Sequence, residues 1–207
     1  MGNVQCFFLC NCTQYKPLKF QIQTEHHLSN NKYLLNKVTF DYKKNDNSWI
    51  TQKREVYDRG NGAAILLYNS ENKNIILTRQ FRLPTYLNGN KNGMLIEVCA
   101  GLLDLDEPEQ CIIRETEEET GYRITKVQKV MEAYMSPGVL TEILYLFIGE
   151  YNESMKVNDG GGLEEEQENI EVLEMKYEQA YAMIATGEIT DAKTILLLQY
   201  AKINLAL

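Results

Sequence analysis

The chain has few of the residues that usually announce a metal or redox site. Of 207 residues, two are histidine and five are cysteine. No two cysteines form a CxxC pair, and Cys6, Cys10 and Cys12 have no fourth ligand before His26, which argues against a structural zinc module. His26 and His27 sit in a polar stretch and are not expected to be ligands. An odd number of cysteines, with Cys99 and Cys111 at expected core positions, gives no disulfide framework and fits a reducing compartment. No lysine or arginine precedes the short apolar run at residues 6–10, so no secretory leader is expected. Met1-Gly2 opens like an acylation signal, yet Cys6 stands where that signal needs serine or threonine. Apolar runs long enough to span a bilayer are missing, as are low-complexity tracts and repeats. Basic residues are in deficit: 21 Lys and Arg against 29 Asp and Glu leave a net charge of −8. That balance argues against non-specific binding to nucleic acid or membrane surfaces.

A hydrophobic content of 44% is enough for a core, and this length suits one compact domain with a small appendage. Residues 1–19 are expected to be a disordered extension. Residues 33–42 and 48–57 alternate as strands around a turn at 43–47, predicting a small N-terminal antiparallel hairpin domain over 20–57. The larger domain, 58–207, is predicted to hold strands at 63–68, 74–81, 94–99, 127–134, 141–151 and 170–175. Residues 84–93 and 152–169 read as loops, the second acidic and containing Gly160, Gly161 and Gly162. Helices are expected at 178–186 and 191–203, separated by Gly187. Mixed strands with helices before and after predict an α/β/α sandwich.

One segment carries the chemistry. Four of the five residues from Glu115 to Glu119 are glutamates. Pairs at i,i+3 and i,i+4 put at least three carboxylates on one helix face, each such pair costing roughly 0.2–0.5 kcal/mol. Asp106, Glu107 and Pro108 form a helix start, Gly121 suits a C-cap, and Arg114 lies four residues before Glu118. Ala100-Gly101 precedes the helix where backbone can approach a ligand. Crowded carboxylates suit a hard divalent ion, and Mg²⁺ completes its shell with water and phosphate oxygens. The segment is therefore expected to be a metal-dependent phosphate site.

Gly101, Glu107 and the run Arg114-Glu115-Thr116-Glu117-Glu118-Glu119-Thr120-Gly121-Tyr122 resemble the signature of the Nudix hydrolases. Six residues separate Glu107 from Arg114, one fewer than in the general pattern, and Thr116 stands at a usually aliphatic position. Stretches outside the signature resemble the GDP-mannose pyrophosphatase branch, which shares the shortened form. These begin at Arg54, Arg79, Glu97, Tyr134, Gly160 and Thr186.

The resemblance implies a Nudix α/β/α sandwich with a mixed sheet, and a Mg²⁺-dependent hydrolase with Mn²⁺ as the alternative ion. The substrate would be GDP-mannose, split to GMP and mannose 1-phosphate. ADP-ribose or another ADP-sugar is the second reading, and a silent nucleotide-binding module the third. It implies that Glu115, Glu119 and the Ala100 carbonyl ligate the metal, with Glu118 in or beside the cluster. Glu166 or Glu168 would enter from the acidic loop as ligand or base, the count from either side leaving both open. Lys53, Arg54, Glu55, Arg82, Gly101, Leu102, Glu119, Glu142 and Lys193 would contact substrate. Arg79 is a weaker phosphate clamp than Arg82, and Lys32 or Tyr33 would meet the base. A cytoplasmic homodimer is implied, with the nucleotide contacts crossing between subunits.

Overall fold

The structure, a computed structural model, describes residues 19–205 and 207. The expected disordered extension, including Cys6, Cys10 and Cys12, lies outside the described residues except for Lys19. The chain divides into two compact units between Tyr57 and Asp58.

The first unit is a sheet of three strands in the order β1 (Phe20–Asn30), β2 (Leu34–Lys43) and β3 (Trp49–Asp58). The hairpin expected from sequence is β2 and β3; β1 is an additional strand. Its register against β2 slips between Ile22 and Thr24 and again between His27 and Ser29. Each slip sends the following side chains to the other face, so no period of two survives along the strand. His27 Nδ1 lies 2.7 Å from Asn36 Oδ1, and Asn36 donates to Glu25 at 2.6 Å. Turn chemistry closes β2 onto β3: Asp46 accepts from the Ser48 N–H at 2.9 Å, and Asn47 takes the left-handed conformation.

The second unit is a mixed seven-stranded sheet between two helical layers. Its strands are β4 (Gly62–Asn69), β5 (Asn74–Phe81), β6 (Met94–Glu97), β7 (Cys99–Leu102), β8 (Gln128–Tyr134), β9 (Ile143–Glu150) and β10 (Glu171–Lys176). The path runs β10-β5-β4-β9-β8, with β6 on β5 and β7 on β4. β4 and β9 are parallel and the other pairs antiparallel. The helices are α1 (Leu83–Leu87), α2 (Pro108–Thr120), α3 (Tyr177–Thr186) and α4 (Ala192–Asn204).

β4 shows why the sheet is covered on both sides. Ala63, Ile65 and Leu67 pack with Cys111 and Ile112 of α2 and with Phe147. Ala64 and Leu66 pack with Tyr177 and Ala180 of α3 and with Leu197 and Leu198 of α4. A strand buried on both faces reads as an unbroken apolar run. Each large side chain of this kind stabilises by about 1.5–3 kcal/mol.

Two expectations change in detail. The segment 94–99 divides at Val98, where the chain leaves β5 and crosses to β4. Residues 84–93 contain α1, started by Pro84 in its first turn.

α2 ends as its sequence predicts, with Gly121 left-handed at φ 78° and its N–H on the Glu117 carbonyl. The glycine loop then docks on this end: Gly161 N–H donates to Glu119 O at 2.9 Å and Gly162 N–H to Glu118 O at 3.1 Å. A Cβ at Gly160 would strike the Glu119 carbonyl, and one at Gly121 would strike that of Asn158. The glycines are thus required for a close fit to the helix terminus. Gly121→Ala is expected to lower stability by about 1–3 kcal/mol, measured by urea unfolding; an unchanged midpoint would contradict this packing.

Candidate active site

α2 begins after Glu107, whose side chain makes no capping bond, and Pro108 occupies its first turn. Arg114 reaches Glu118 at 2.8 Å, Glu115 at 3.0 Å and Asp106 at 3.5 Å. Arg123 binds Glu117 through two nitrogens, both at 2.7 Å. Two arginines thereby offset much of the carboxylate repulsion along the helix. Thr116, in a fully buried position, donates its hydroxyl to the Ile112 carbonyl at 2.6 Å. That bond satisfies the polar atom and explains why threonine is tolerated at an aliphatic site.

Glu119 has a different environment. It is 2% exposed and makes no ion pair among the described residues. The Ala100 N–H donates to its Oε2 at 3.3 Å. Burial pushes its carboxyl up to about 8; the Glu115 and Glu168 carboxylates add to the rise, while the Cys99 thiol and the Ala100 N–H oppose it. Burial, with Glu119 beside it, also raises the Cys99 thiol well above its ordinary value.

β7 supplies the opposing wall. Its pairing with β4 sets Ala100 against Ala64 and Gly101 against Ala63. A Cβ on Gly101 would overlap the Glu115 carboxyl group, so only glycine lets this carboxylate lie on the strand. At the same end, Glu142 is 7% exposed, 3.4 Å from the Arg59 guanidinium, and a Cβ on Gly62 would sit 3.1 Å from the Gly101 carbonyl and 3.8 Å from Glu142. Leu102 pairs with Gly62, and its carbonyl accepts from the Cys111 thiol at 3.2 Å.

The acidic loop closes one side. Glu168 is half-buried, its Oε2 accepting from the Leu163 N–H at 3.2 Å, and it lies near enough to Glu119 to disfavour ionisation there. The side chain of Glu166 lies outside the described residues. A cavity of about 530 Å³ opens beside α2, lined by Arg114, Glu117, Glu118, Gly160, Gly162 and Leu163 among others.

A buried charge cluster stands on the β5–β6 side. Glu97, 3% exposed, accepts from Arg82 Nε at 2.7 Å and pairs with Lys193. Lys193 Nζ also reaches Asp191 at 3.0 Å. Arg79 instead pairs with Glu171 at 2.7 Å on the exposed face of the sheet. Lys53, Arg54 and Glu55 are exposed on β3 of the first unit, where Arg54 donates to the Lys53 carbonyl at 2.9 Å. Lys32 lies 5.6 Å from the Tyr33 ring centroid.

The second unit thus gathers Ala100, Gly101, Glu115, Glu119 and Glu168 around one strand and one helix. Sequence reasoning gave no role to Glu97, Asp191, Arg59 or Cys99. A legible signal existed for Glu97, a lone charge between apolar residues of a strand.

No group of three or more His, Cys, Asp or Glu side chains is already clustered as a metal site among the described residues. Arg114 draws Glu115 and Glu118 to itself, and Glu168 is turned to Leu163. The donor set nonetheless fits a hard divalent cation. It consists of oxygens, it includes a buried carboxylate without an ion pair, and Gly101 leaves the backbone bare beneath Glu115.

A glutamate helix packed on an Ala-Gly strand, within a mixed sheet between helices, is the arrangement of a Nudix hydrolase. The chain belongs to that family: residues 58–198 match the family model for the NUDIX domain. Residues 19–57 match the family model described as the GDP-mannose pyrophosphatase NudK N-terminal domain. A protein named GDP-mannose pyrophosphatase from Escherichia coli O1:K1 / APEC is 55% identical over 177 residues, covering 86% of this chain and 92% of that protein. Its namesake from Escherichia coli strain SMS-3-5 is 56% identical over 173 residues, covering 84% and 90%. That from Shigella flexneri serotype 5b is 54% identical over 177 residues, covering 86% and 92%. The chain is a Nudix pyrophosphohydrolase, a class whose members generally need a divalent cation.

The sign of the Glu119 shift gives a stability prediction. Between about pH 4.5 and about 8 the folded chain keeps a proton that the unfolded chain has released, so Glu119 lowers stability progressively through that window. In metal-free buffer, Glu119→Gln is expected to gain thermal stability relative to the parent as pH rises from about 5 to about 8. Melting temperatures that diverge in the opposite direction would show that the carboxylate is not under this strain.

Proposed function

We propose that the chain hydrolyses the diphosphate of GDP-mannose, giving GMP and mannose 1-phosphate. One observation carries the substrate: similarity to proteins named for this activity continues through both units, and the N-terminal match abuts the NUDIX match at residues 57 and 58.

A divalent cation, Mg²⁺ with Mn²⁺ as alternative, supplies charge neutralisation of the diphosphate and a lowered pKa for bound water. The Ala100 carbonyl, Glu115 and Glu119 would hold it, with Glu166 or Glu168 from the acidic loop. Glu118, Glu166 and Glu168 are the candidates to accept the proton of the attacking water. The position of Glu168 near Glu119 supports Glu168 within the ligand-or-base pair. As the water oxygen bonds to phosphorus, the bridging P–O bond breaks and its electrons leave with the other phosphate. Arg82 offers a guanidinium to those oxygens, a planar donor suited to phosphate. Gly101 and Leu102 present backbone beside them, and Glu142 and Lys193 border the substrate.

Lys53, Arg54 and Glu55 are proposed to reach the nucleotide from the partner subunit of a homodimer, which their exposure on β3 permits. The oxidation state expected of the cysteines supports a cytoplasmic location. No helix among the described residues is long and apolar enough to cross a membrane.

The test is turnover of GDP-mannose, ADP-ribose and ADP-glucose with Mg²⁺, followed as phosphomonoester release. GDP-mannose is expected to give the highest kcat/KM; faster ADP-ribose cleavage would overturn the substrate assignment. Glu119→Gln is expected to reduce kcat by about 100-fold or more, and near-normal turnover would remove it from the ligand set.

A further inference from the structure

Glu97 has no place in the scheme above, yet its environment is highly organised. It ends β6, and its side chain is 4% exposed. Its two carboxylate oxygens serve different cations, Oε2 taking Arg82 and Oε1 taking Lys193. Lys193 continues to Asp191, whose other oxygen caps α4 by accepting from the Thr194 N–H at 3.0 Å and hydroxyl at 2.6 Å. Thr194 Oγ1 in turn accepts from the Val98 N–H at 2.8 Å, next in sequence to Glu97. The bonds form a ring that ties the end of β5, the β6–β7 junction and the start of α4 to one carboxylate.

This ring adjoins the glutamate wall. Both Glu97 and Glu119 act on the Arg82 guanidinium, and Glu97 does so most strongly. Cys99 and Ala100, two and three residues past Glu97, face Glu119 directly. Glu97 engages Arg82 at Nε, and a guanidinium held there still offers its Nη edge to a planar oxyanion. An arginine side chain left to itself samples many rotamers, and one fixed by a buried partner loses less freedom on meeting its ligand.

We propose that Glu97 is a positioning residue for the diphosphate, holding Arg82 and Lys193 in fixed relative placement so that Arg82 meets the phosphate oxygens without reorganisation. It touches no substrate itself. The inference rests on the reading of Arg82 as a phosphate clamp, and it adds a residue that neither the NUDIX signature nor its metal ligands include.

The test is Glu97→Gln, which keeps the shape but places an amide against two cations, with Glu97→Asp as the charge-retaining control. KM for the nucleotide sugar is expected to rise about tenfold or more while kcat stays within about threefold. Glu97→Asp should recover part of the loss. In an Arg82→Ala background Glu97→Gln should add little to KM, because its effect passes through that arginine. Full additivity of the two substitutions, or a fall in kcat and melting temperature with KM unchanged, would overturn the proposal. Calorimetric titration with inorganic pyrophosphate separates this from the substrate assignment. Weaker pyrophosphate binding in Glu97→Gln supports the positioning role even if GDP-mannose is not cleaved; identical binding refutes it even if GDP-mannose is.

Discussion

Everything at the site depends on how closely α2 lies against β7. Glu115 occupies the space a side chain at position 101 would need, and Glu119 sits beneath the Ala100 N–H. That approach is set by packing further down the helix, where Cys111 and Ile112 are fully buried against Ile65 and Leu67. It is also set at the helix end, where three consecutive glycines fold onto the terminal carbonyls. A bulkier residue at 101 or 160 would move the carboxylates away from the strand. The chemistry of the glutamates is therefore inseparable from the absence of side chains opposite them.

Charge along α2 follows a gradient of burial. Glu117 faces outward and has Arg123 to itself, whereas Glu115 and Glu118 share Arg114. Glu119, the deepest, makes no ion pair among the described residues; the Cys99 thiol and the Ala100 N–H approach it, and it acts on the Arg82 guanidinium without pairing with it. Pairing of an exposed carboxylate stabilises modestly, while leaving a buried one without a counter-charge is costly. The arrangement concentrates that cost at one position, next to bare backbone and to Glu168.

Much of this was legible from sequence, for physical reasons that differ by element. β4 and β9 read clearly because strands buried on both faces give continuous apolar runs. α2 read clearly because its Pro108 start, its glutamate spacing and its Gly121 stop are all local. β1 was not legible, since two register slips erase its alternation and nearly all of it is exposed. α1 was hidden because five residues among Asn and Gly carry no periodic signal. The triple glycine read only as part of an acidic loop; its left-handed conformations and hydrogen bonds to α2 give it a docking role. The Glu97 ring was invisible for another reason: its bonded partners lie up to 96 residues apart in the chain, and no local pattern records such a pairing.

Two buried glutamates lie near the same strand crossover and meet opposite fates. Glu97 is enclosed by an arginine and a lysine, so its charge is neutralised before any ligand arrives. Glu119 is pushed toward its neutral form by burial, with the Glu115 and Glu168 carboxylates adding to the effect. A single ion of either sign would suit one of these environments and not the other. Under the proposed function, a diphosphate arriving with a divalent cation would suit both, the cation on the Glu119 side and the phosphate oxygens at the Arg82 guanidinium beside Glu97.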